Sequence, residues 1–83
     1  MTKLIFNDGT ELFGDAVESD ISLTLYLGTE PLGYYFPILN DPEKTKKIES
    51  INNTGEYTYI GYTHLTMIQE YPSGSVVASL KKT

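Results

Sequence analysis

Residues 21–27, with the sequence ISLTLYL, alternate between apolar and polar side chains without interruption. Successive side chains of a β-strand point to opposite faces, so this run places its apolar residues on one face: Ile21, Leu23, Leu25 and Leu27. A strand with one apolar face is typical of an antiparallel sheet that covers a core on one side. This alternation constrains the fold more than any other feature of the chain, and it predicts a half-buried antiparallel strand.

Short segments of strand-forming residues recur along the rest of the chain, and turn-forming residues separate them. Residues 2–18 predict a β-hairpin because KLIF is followed by NDG, and Gly14 in the return arm indicates a bulge or a close backbone approach. Further strands are predicted at 44–51, 56–63, 65–71 and 76–82. We therefore predict a single all-β domain over residues 1–83, a small antiparallel, partly closed barrel or sandwich of six to seven strands.

The segment 28–43, GTEPLGYYFPILNDPE, differs because glycine and proline interrupt it. Proline lacks the amide donor that a helix interior requires, so we expect at most one short helical turn near residues 29–36, with Thr29 as its cap. The segment also contains apolar and aromatic side chains that would not remain in water: Leu32, Tyr34, Tyr35, Phe36, Ile38 and Leu39. We therefore expect it to lie across an open face or end of the sheet and to close the core.

The chain has 83 residues and no cysteine. A domain of this size buries only about 60% of the surface of its unfolded chain, so its stability is marginal. The lack of cysteine excludes disulfide bonds and thiolate metal sites, which leaves oligomerisation among the usual supports of a small domain. We therefore expect that the chain can self-associate into a homo-oligomer.

Eleven acidic and six basic residues give the chain a net charge of −5. A nucleic-acid-binding protein needs a basic surface to neutralise phosphates, so nucleic acid is not an expected partner. The N-terminal residues lack the apolar core of a signal peptide, and no stretch approaches the roughly 20 apolar residues of a membrane helix. We therefore expect neither a secretion signal nor a membrane partner.

Half of the basic residues lie in the stretch DPEKTKKIES at 41–50: Lys44, Lys46 and Lys47. Lysines that enter a strand beside an exposed sheet edge discourage aggregation through that edge. We expect this solvated, edge-protecting role. Contact with an acidic neighbouring subunit is the alternative.

Residues that could carry catalysis are few. His64 is the only histidine, and a lone histidine forms neither a catalytic triad nor a metal site. Acid–base work by paired carboxylates requires a cleft that raises one pKa, which a small β domain rarely encloses. The first hairpin nevertheless gathers five carboxylates: Asp8, Glu11, Asp15, Glu18 and Asp20. We predict no enzyme activity, no catalytic residue, no metal site and no cofactor.

The aromatic residues are the more informative candidates for binding. Tyrosine combines contact area with a hydrogen-bonding tip and is common at protein interfaces. We expect most of the seven tyrosines and three phenylalanines to lie at the margin of the core. The consecutive Tyr34, Tyr35 and Phe36 are our predicted interaction segment.

Four segments resemble, in the same order, a family of short β-rich proteins that phages and prophages of Gram-positive bacteria encode near their tail and lysis genes. The segments are LIFNDGTEL at 4–12, NDPEKTKKIE at 40–49, YIGYT at 59–63 and VVASLKK at 76–82. The resemblance covers most of the chain, and none of the segments is a chemical signature. It implies a virion or tail-module component without established enzymology, made in the host cytoplasm. The family has no defined site, so no functional residue is carried over.

Three classes of function follow from these observations. The leading hypothesis is a non-enzymatic structural or tail-assembly protein of a phage, which acts through protein–protein contacts. A small acidic inhibitor of a host protein is the second, and it predicts carboxylates grouped on one face. A carbohydrate-binding module is the third, and it requires Tyr57 and Tyr59 to form an exposed flat platform.

Overall fold

The computed structural model describes residues 2–28 and 30–83, and its main element is an open sheet of seven strands. The strands are β1 (Lys3–Phe6), β2 (Glu11–Ser19), β3 (Ser22–Leu27), β4 (Lys47–Asn52), β5 (Gly55–Ile60), β6 (His64–Glu70) and β7 (Val76–Lys81). Their order across the sheet is β5-β4-β1-β2-β3-β7-β6, and all neighbours are antiparallel. The predicted all-β antiparallel fold is confirmed.

Strand β2 lies at the centre of the sheet and changes its partner along its length. Residues 11–13 pair with β1, whereas residues 14–19 pair with β3. Gly14 stands at this change, and a Cβ atom there would lie 2.5 Å from the carbonyl oxygen of Tyr26. That distance is far inside van der Waals contact, so only glycine fits. The close backbone approach predicted at Gly14 is confirmed.

The hydrophobic core lies on one face of the sheet. All three leucines of β3 are buried, as the alternation predicts. Ile21 behaves differently because it precedes β3, and its side chain is 57% exposed. The other strands and their connections contribute the remaining apolar residues of the core cluster outside the helical segment: Leu4, Phe6, Leu12, Ile48, Tyr62, Val76, Ala78 and Leu80.

Two short helices connect β3 to β4: α1 (Leu32–Leu39) and α2 (Pro42–Thr45). The segment therefore contains more helix than the single turn predicted near 29–36. Pro37 lies inside α1, where it cannot donate a hydrogen bond to the carbonyl of Gly33.

Burial of one side of α1 offsets the lost hydrogen bond, because most helical stability in proteins comes from tertiary packing. Tyr35, Ile38 and Leu39 are buried in the core. The expectation that this segment closes the core is confirmed for these three side chains, but Tyr34 and Phe36, which were also expected to leave water, are exposed. The predicted cap, Thr29, lies outside the described residues, and Pro31 occupies the N-cap position of α1.

The lysine-rich stretch begins as helix rather than strand. The Asp41 carboxylate accepts a hydrogen bond from the Glu43 amide at 3.0 Å and caps α2, with Pro42 in the first turn. Strand β4 starts only at Lys47 and lies between β5 and β1. The predicted edge-protecting role of these lysines is therefore wrong, since β4 is an interior strand. Each of the three lysines instead pairs with a carboxylate: Lys44 with Asp8, Lys46 with Glu43 and Lys47 with Glu49.

Strand β6 contains an irregularity that simple alternation does not predict. Its register against β7 shifts between Leu65 and Met67, which is the mark of a β-bulge. Beyond the shift, Ile68 lies opposite Ala78 and packs against the core, while Met67 is exposed. Regular alternation in the predicted strand 65–71 would place Leu65 and Met67 on one face, and the register shift separates them.

Tyr62 fixes the connection between β5 and β6 to the end of β2. Its side chain is fully buried, and its hydroxyl donates a hydrogen bond to the Glu18 carboxylate. The ring meets Tyr59 edge to face, with centroids 6.4 Å apart, and the Lys82 ammonium lies 5.3 Å from the centroid of the Tyr62 ring. The hydrogen bond to Glu18, together with burial, raises the pKa of Tyr62 to about 12.

Alkaline pH is therefore expected to weaken the fold through Tyr62. The unfolded chain releases the tyrosine proton near pH 10, whereas the folded chain retains it until about pH 12, so the free energy of unfolding falls across that interval. We expect Tyr62→Phe to show a smaller decline in its urea midpoint between about pH 9 and about pH 11.5.

A second tyrosine provides the control for this experiment. Tyr57 is 68% exposed, so Tyr57→Phe should change the decline less than Tyr62→Phe does. Part of the decline should remain in Tyr62→Phe, because burial also raises the pKa of Tyr59. Equal declines for Tyr62→Phe and the wild type would contradict this assignment.

Candidate functional site

A groove of about 470 Å³ lies between the start of β2 and helix α1. Three aromatic residues and two glutamates are among the residues that line it. The full lining consists of Glu11, Leu12, Phe13, Gly28, Glu30, Tyr34 and Tyr35. We call this feature the β2–α1 groove. Its volume is within the range of small-molecule and side-chain pockets.

The predicted interaction segment is divided between the groove, the core and the surface. Tyr34 is 49% exposed and lines the groove, whereas Tyr35 is buried and belongs to the core. Their rings meet edge to face with centroids 5.5 Å apart. Phe36 is also exposed but is not among the groove-lining residues. The three neighbours therefore do not form one continuous contact surface.

The hydroxyl of Tyr35 positions the chain at the mouth of the groove. It accepts a hydrogen bond from the Glu30 amide at 3.4 Å. This contact holds the residue before Pro31 against the helix, so the backbone that carries the Glu30 carboxylate is tied to the core. Tyr35 therefore both lines the groove and holds the Glu30 backbone in position.

Phe13 is the groove residue that the sequence reasoning did not single out. Its side chain is 57% exposed, and it lies directly opposite Lys3 on the neighbouring strand. The available signal was its phase: in ELFGD, Phe13 shares the solvent-facing phase of Glu11 and Asp15. A single exposed ring is ordinary, but Phe13 and Tyr34 line the same groove, and a continuous apolar patch indicates a contact surface.

The two carboxylates of the groove differ in their surroundings. Glu11 forms an ion pair with Lys3 at 3.3 Å, and both side chains are about half exposed. Glu30 is exposed, and no lysine among residues 2–28 and 30–83 lies within ion-pair distance of it. The groove therefore offers ring faces beside a carboxylate with no neighbouring cation in that part of the chain. A cationic group satisfies both features.

The residues weighed for catalysis are dispersed. His64 is exposed at the start of β6, where it lies opposite Lys81. The Asp8 carboxylate accepts a hydrogen bond from the Thr10 amide at 3.0 Å, which lowers the pKa of Asp8. Within the part of the chain that the structure describes, no group of three or more histidine, aspartate or glutamate side chains is placed to hold a metal ion.

The two tyrosines considered as a sugar platform also differ in burial. Tyr57 is exposed, but Tyr59 is half-buried and its ring is engaged with Tyr62. Only one ring of the pair therefore offers a free face.

Lysines pair with four of the eleven carboxylates. Four ion pairs join them in the described residues: Lys3–Glu11, Lys44–Asp8, Lys46–Glu43 and Lys47–Glu49. Exposed pairs of this kind contribute little to stability, about 0–1 kcal/mol each.

Among the described residues, neither helix has the length and apolar character needed to cross a membrane. Comparisons with protein-family models, with curated proteins and with solved structures find no match to this chain.

Proposed function

We propose that this chain is a non-enzymatic assembly protein that acts through protein–protein contacts, with the β2–α1 groove receiving an arginine side chain of its partner. The observation that carries the proposal is the composition of the groove, in which the exposed rings of Phe13 and Tyr34 accompany the Glu30 carboxylate. The setting we propose is a phage particle or its assembly in the host cytoplasm, on the resemblance of four sequence segments.

Arginine fits this groove better than a neutral side chain for two physical reasons. Its planar guanidinium group stacks on aromatic rings, with a gain of about 0.5–2 kcal/mol for each favourable contact. The same group donates charge-assisted hydrogen bonds to a carboxylate, which contribute about 1.5–3 kcal/mol. Because the groove is open to solvent, a short peptide should bind weakly, and a folded partner would add contacts outside the groove.

The net charge of −5 also favours a partner with a basic surface. An acidic protein attracts basic surfaces over long distances, which raises the rate of encounter at low ionic strength. Glu11 contributes less than Glu30, because Lys3 already neutralises part of its field. We therefore assign the main polar contact to Glu30.

The test is the binding of a fluorescent pentapeptide, Gly-Ser-Arg-Ser-Gly, measured by anisotropy. The matched control peptide carries citrulline, which keeps the shape of arginine and lacks its charge. We expect the arginine peptide to bind about tenfold more tightly than the citrulline peptide, which corresponds to about 1.4 kcal/mol. Equal affinities for the two peptides would contradict the proposal.

Variants of the chain test whether the groove is responsible. Glu30→Gln and Phe13→Ser should each weaken binding of the arginine peptide about fivefold to tenfold. Tyr57→Ser removes an equally exposed ring from β5, outside the groove, and should leave affinity unchanged. If Tyr57→Ser weakened binding as much as Phe13→Ser, the groove would not be the binding site.

A further inference from the structure

Strand β5 forms one edge of the sheet, and its hydrogen-bonding pattern shows which backbone groups face outward. The Gly61 amide donates to the Lys46 carbonyl at 3.0 Å, and the same register pairs Tyr59 with Ile48. Hydrogen-bonded pairs alternate along an antiparallel ladder, so the odd-numbered residues of β5 bond to β4. The N–H and C=O groups of the even-numbered residues point away from the sheet: Glu56, Thr58 and Ile60.

These outward groups have no other backbone partner among the described residues. The side chains around them are accessible as well, since Tyr57 is 68% and Ile60 is 58% exposed. Backbone N–H and C=O groups that are free along an edge strand can form hydrogen bonds with a strand of another chain.

The two edges of the sheet differ in how they are protected. Edge strand β6 carries the bulge between Leu65 and Met67, which interrupts the regular ladder that a new strand would need. Edge strand β5 keeps a regular register over residues 55–60, and neither edge strand contains lysine or proline. Of the two, only β5 is ready to accept another strand.

We infer that two copies of this chain pair through β5 in an antiparallel dimer, with the two-fold axis at Thr58. Thr58 then lies opposite the partner's Thr58, and Glu56 lies opposite the partner's Ile60. Residues that oppose each other in these pairs exchange both of their outward hydrogen bonds. The dimer continues the sheet from one subunit into the other.

Charge and length select this register from the others that the backbone permits. An axis at Glu56 would place the only charged side chain of β5 directly opposite its copy, which is destabilising. An axis at Ile60 would pair residues beyond the end of the strand, where the chain turns at Gly61. Axes at Tyr57 or Tyr59 would leave Ile60 or Glu56, respectively, without an opposing residue in the partner's β5. The axis at Thr58 avoids these costs and uses all the outward groups.

The same register brings aromatic rings together. Tyr57 lies opposite the partner's Tyr59 in a pair without mutual hydrogen bonds, where side chains approach most closely. Tyr59 is half-buried in its own subunit, so the exposed ring of Tyr57 from the other copy would complete its cover. Aromatic pairs across strands contribute about 0.2–1 kcal/mol beyond small residues.

This dimer is independent of the β2–α1 groove. Strands β4 and β1 separate β5 from β2 in the sheet, and none of the groove-lining residues belongs to β5. Failure of the dimer would therefore leave arginine binding unaffected, and failure of arginine binding would leave the dimer unaffected.

The first test is the molar mass in solution, measured by light scattering from about 10 µM to about 1 mM, the range for a small interface. We expect the wild-type mass to rise toward that of a dimer. Thr58→Lys places two positive charges face to face at the axis and should remain a monomer throughout. Gln69→Lys adds the same side chain to the other edge strand and should behave as the wild type.

Either of two results would overturn the inference. If the wild type is a monomer at every concentration, the β5 edge does not pair with a second copy. If a dimer persists in Thr58→Lys, the interface lies elsewhere. Circular dichroism of both lysine variants establishes that each is folded.

Single cysteines test the register, because the natural chain contains none. Thr58→Cys places two thiols opposite each other at the axis, so oxidation should yield a disulfide-linked dimer. Glu56→Cys places its two thiols about 13 Å apart along the strands and should yield little. Equal cross-linking of the two variants would overturn the register.

Discussion

Alanine at position 14 is expected to lower the free energy of unfolding by about 3 kcal/mol, although it adds only one methyl group. Its Cβ would stand 2.5 Å from the Tyr26 carbonyl oxygen and 3.0 Å from a Leu27 methyl carbon. A side chain could rotate away, but the Tyr26 oxygen belongs to the backbone of β3. Relief therefore requires β2 and β3 to separate where β2 changes its partner.

Gly33 provides the matched control for this substitution. A Cβ at Gly33 would meet no atom within 4 Å, and the residue lies inside α1 without a positive φ. Gly33→Ala should therefore raise stability by up to about 1 kcal/mol, because alanine favours helix and restricts the unfolded chain. Urea denaturation of both variants measures the difference, and similar stabilities would contradict the close approach of β2 and β3.

Removal of the Tyr35 ring is expected to lower the free energy of unfolding by about 3–5 kcal/mol in Tyr35→Ala. Tyr35 is only 3% exposed, and its side chain anchors α1 in the core. A domain of 83 residues has a total stability of roughly 4–12 kcal/mol, so this loss is a large fraction of it. We therefore expect the unfolding transition of Tyr35→Ala to become broad and to lie near room temperature.

The neighbouring tyrosine should give the opposite outcome. Tyr34 is 49% exposed, so Tyr34→Ala should change stability by less than about 1 kcal/mol. Thermal unfolding followed by circular dichroism compares the two variants under the same conditions. If Tyr34→Ala were as destabilising as Tyr35→Ala, the orientation of α1 would be wrong.

The strands could be predicted because their signal is local. The alternation in ISLTLYL predicts which face of β3 is buried, and the glycine in ELFGD indicates a close approach at Gly14. Exposure of Ile21 and the phase change in β6 could not be predicted in this way. Both depend on where a strand begins or bulges, which pairing with a neighbouring strand decides.

Helix α1 shows the limit of local rules. Proline and glycine predict an interrupted segment, and α1 indeed loses a hydrogen bond at Pro37. The helix forms because Ile38 and Leu39 reach the core, and that gain depends on a sheet built from strands far along the chain. The lysines between 44 and 47 illustrate the same limit, since their predicted role depended on whether β4 is an edge strand.

The groove could be predicted only in part. Tyr34 was selected for its aromatic neighbours, but Phe13 comes from β2, far away in the sequence, and Glu30 lies just before α1. Their meeting follows from the packing of α1 beside the start of β2, which no sequence spacing reveals. Burial also divides Tyr34 from Tyr35, because a helix turns adjacent residues toward different surroundings.

The central claim is that the β2–α1 groove binds arginine, and an NMR titration of the ¹⁵N-labelled chain tests it most directly. The arginine pentapeptide is added in steps, followed by the citrulline peptide as the control. If arginine binds in the groove, the arginine peptide alone should cause saturable shifts of amide resonances confined to the groove, at Phe13, Gly28, Glu30 and Tyr34. Shifts that follow the acidic residues across the whole surface, or that gather at another site, would contradict it.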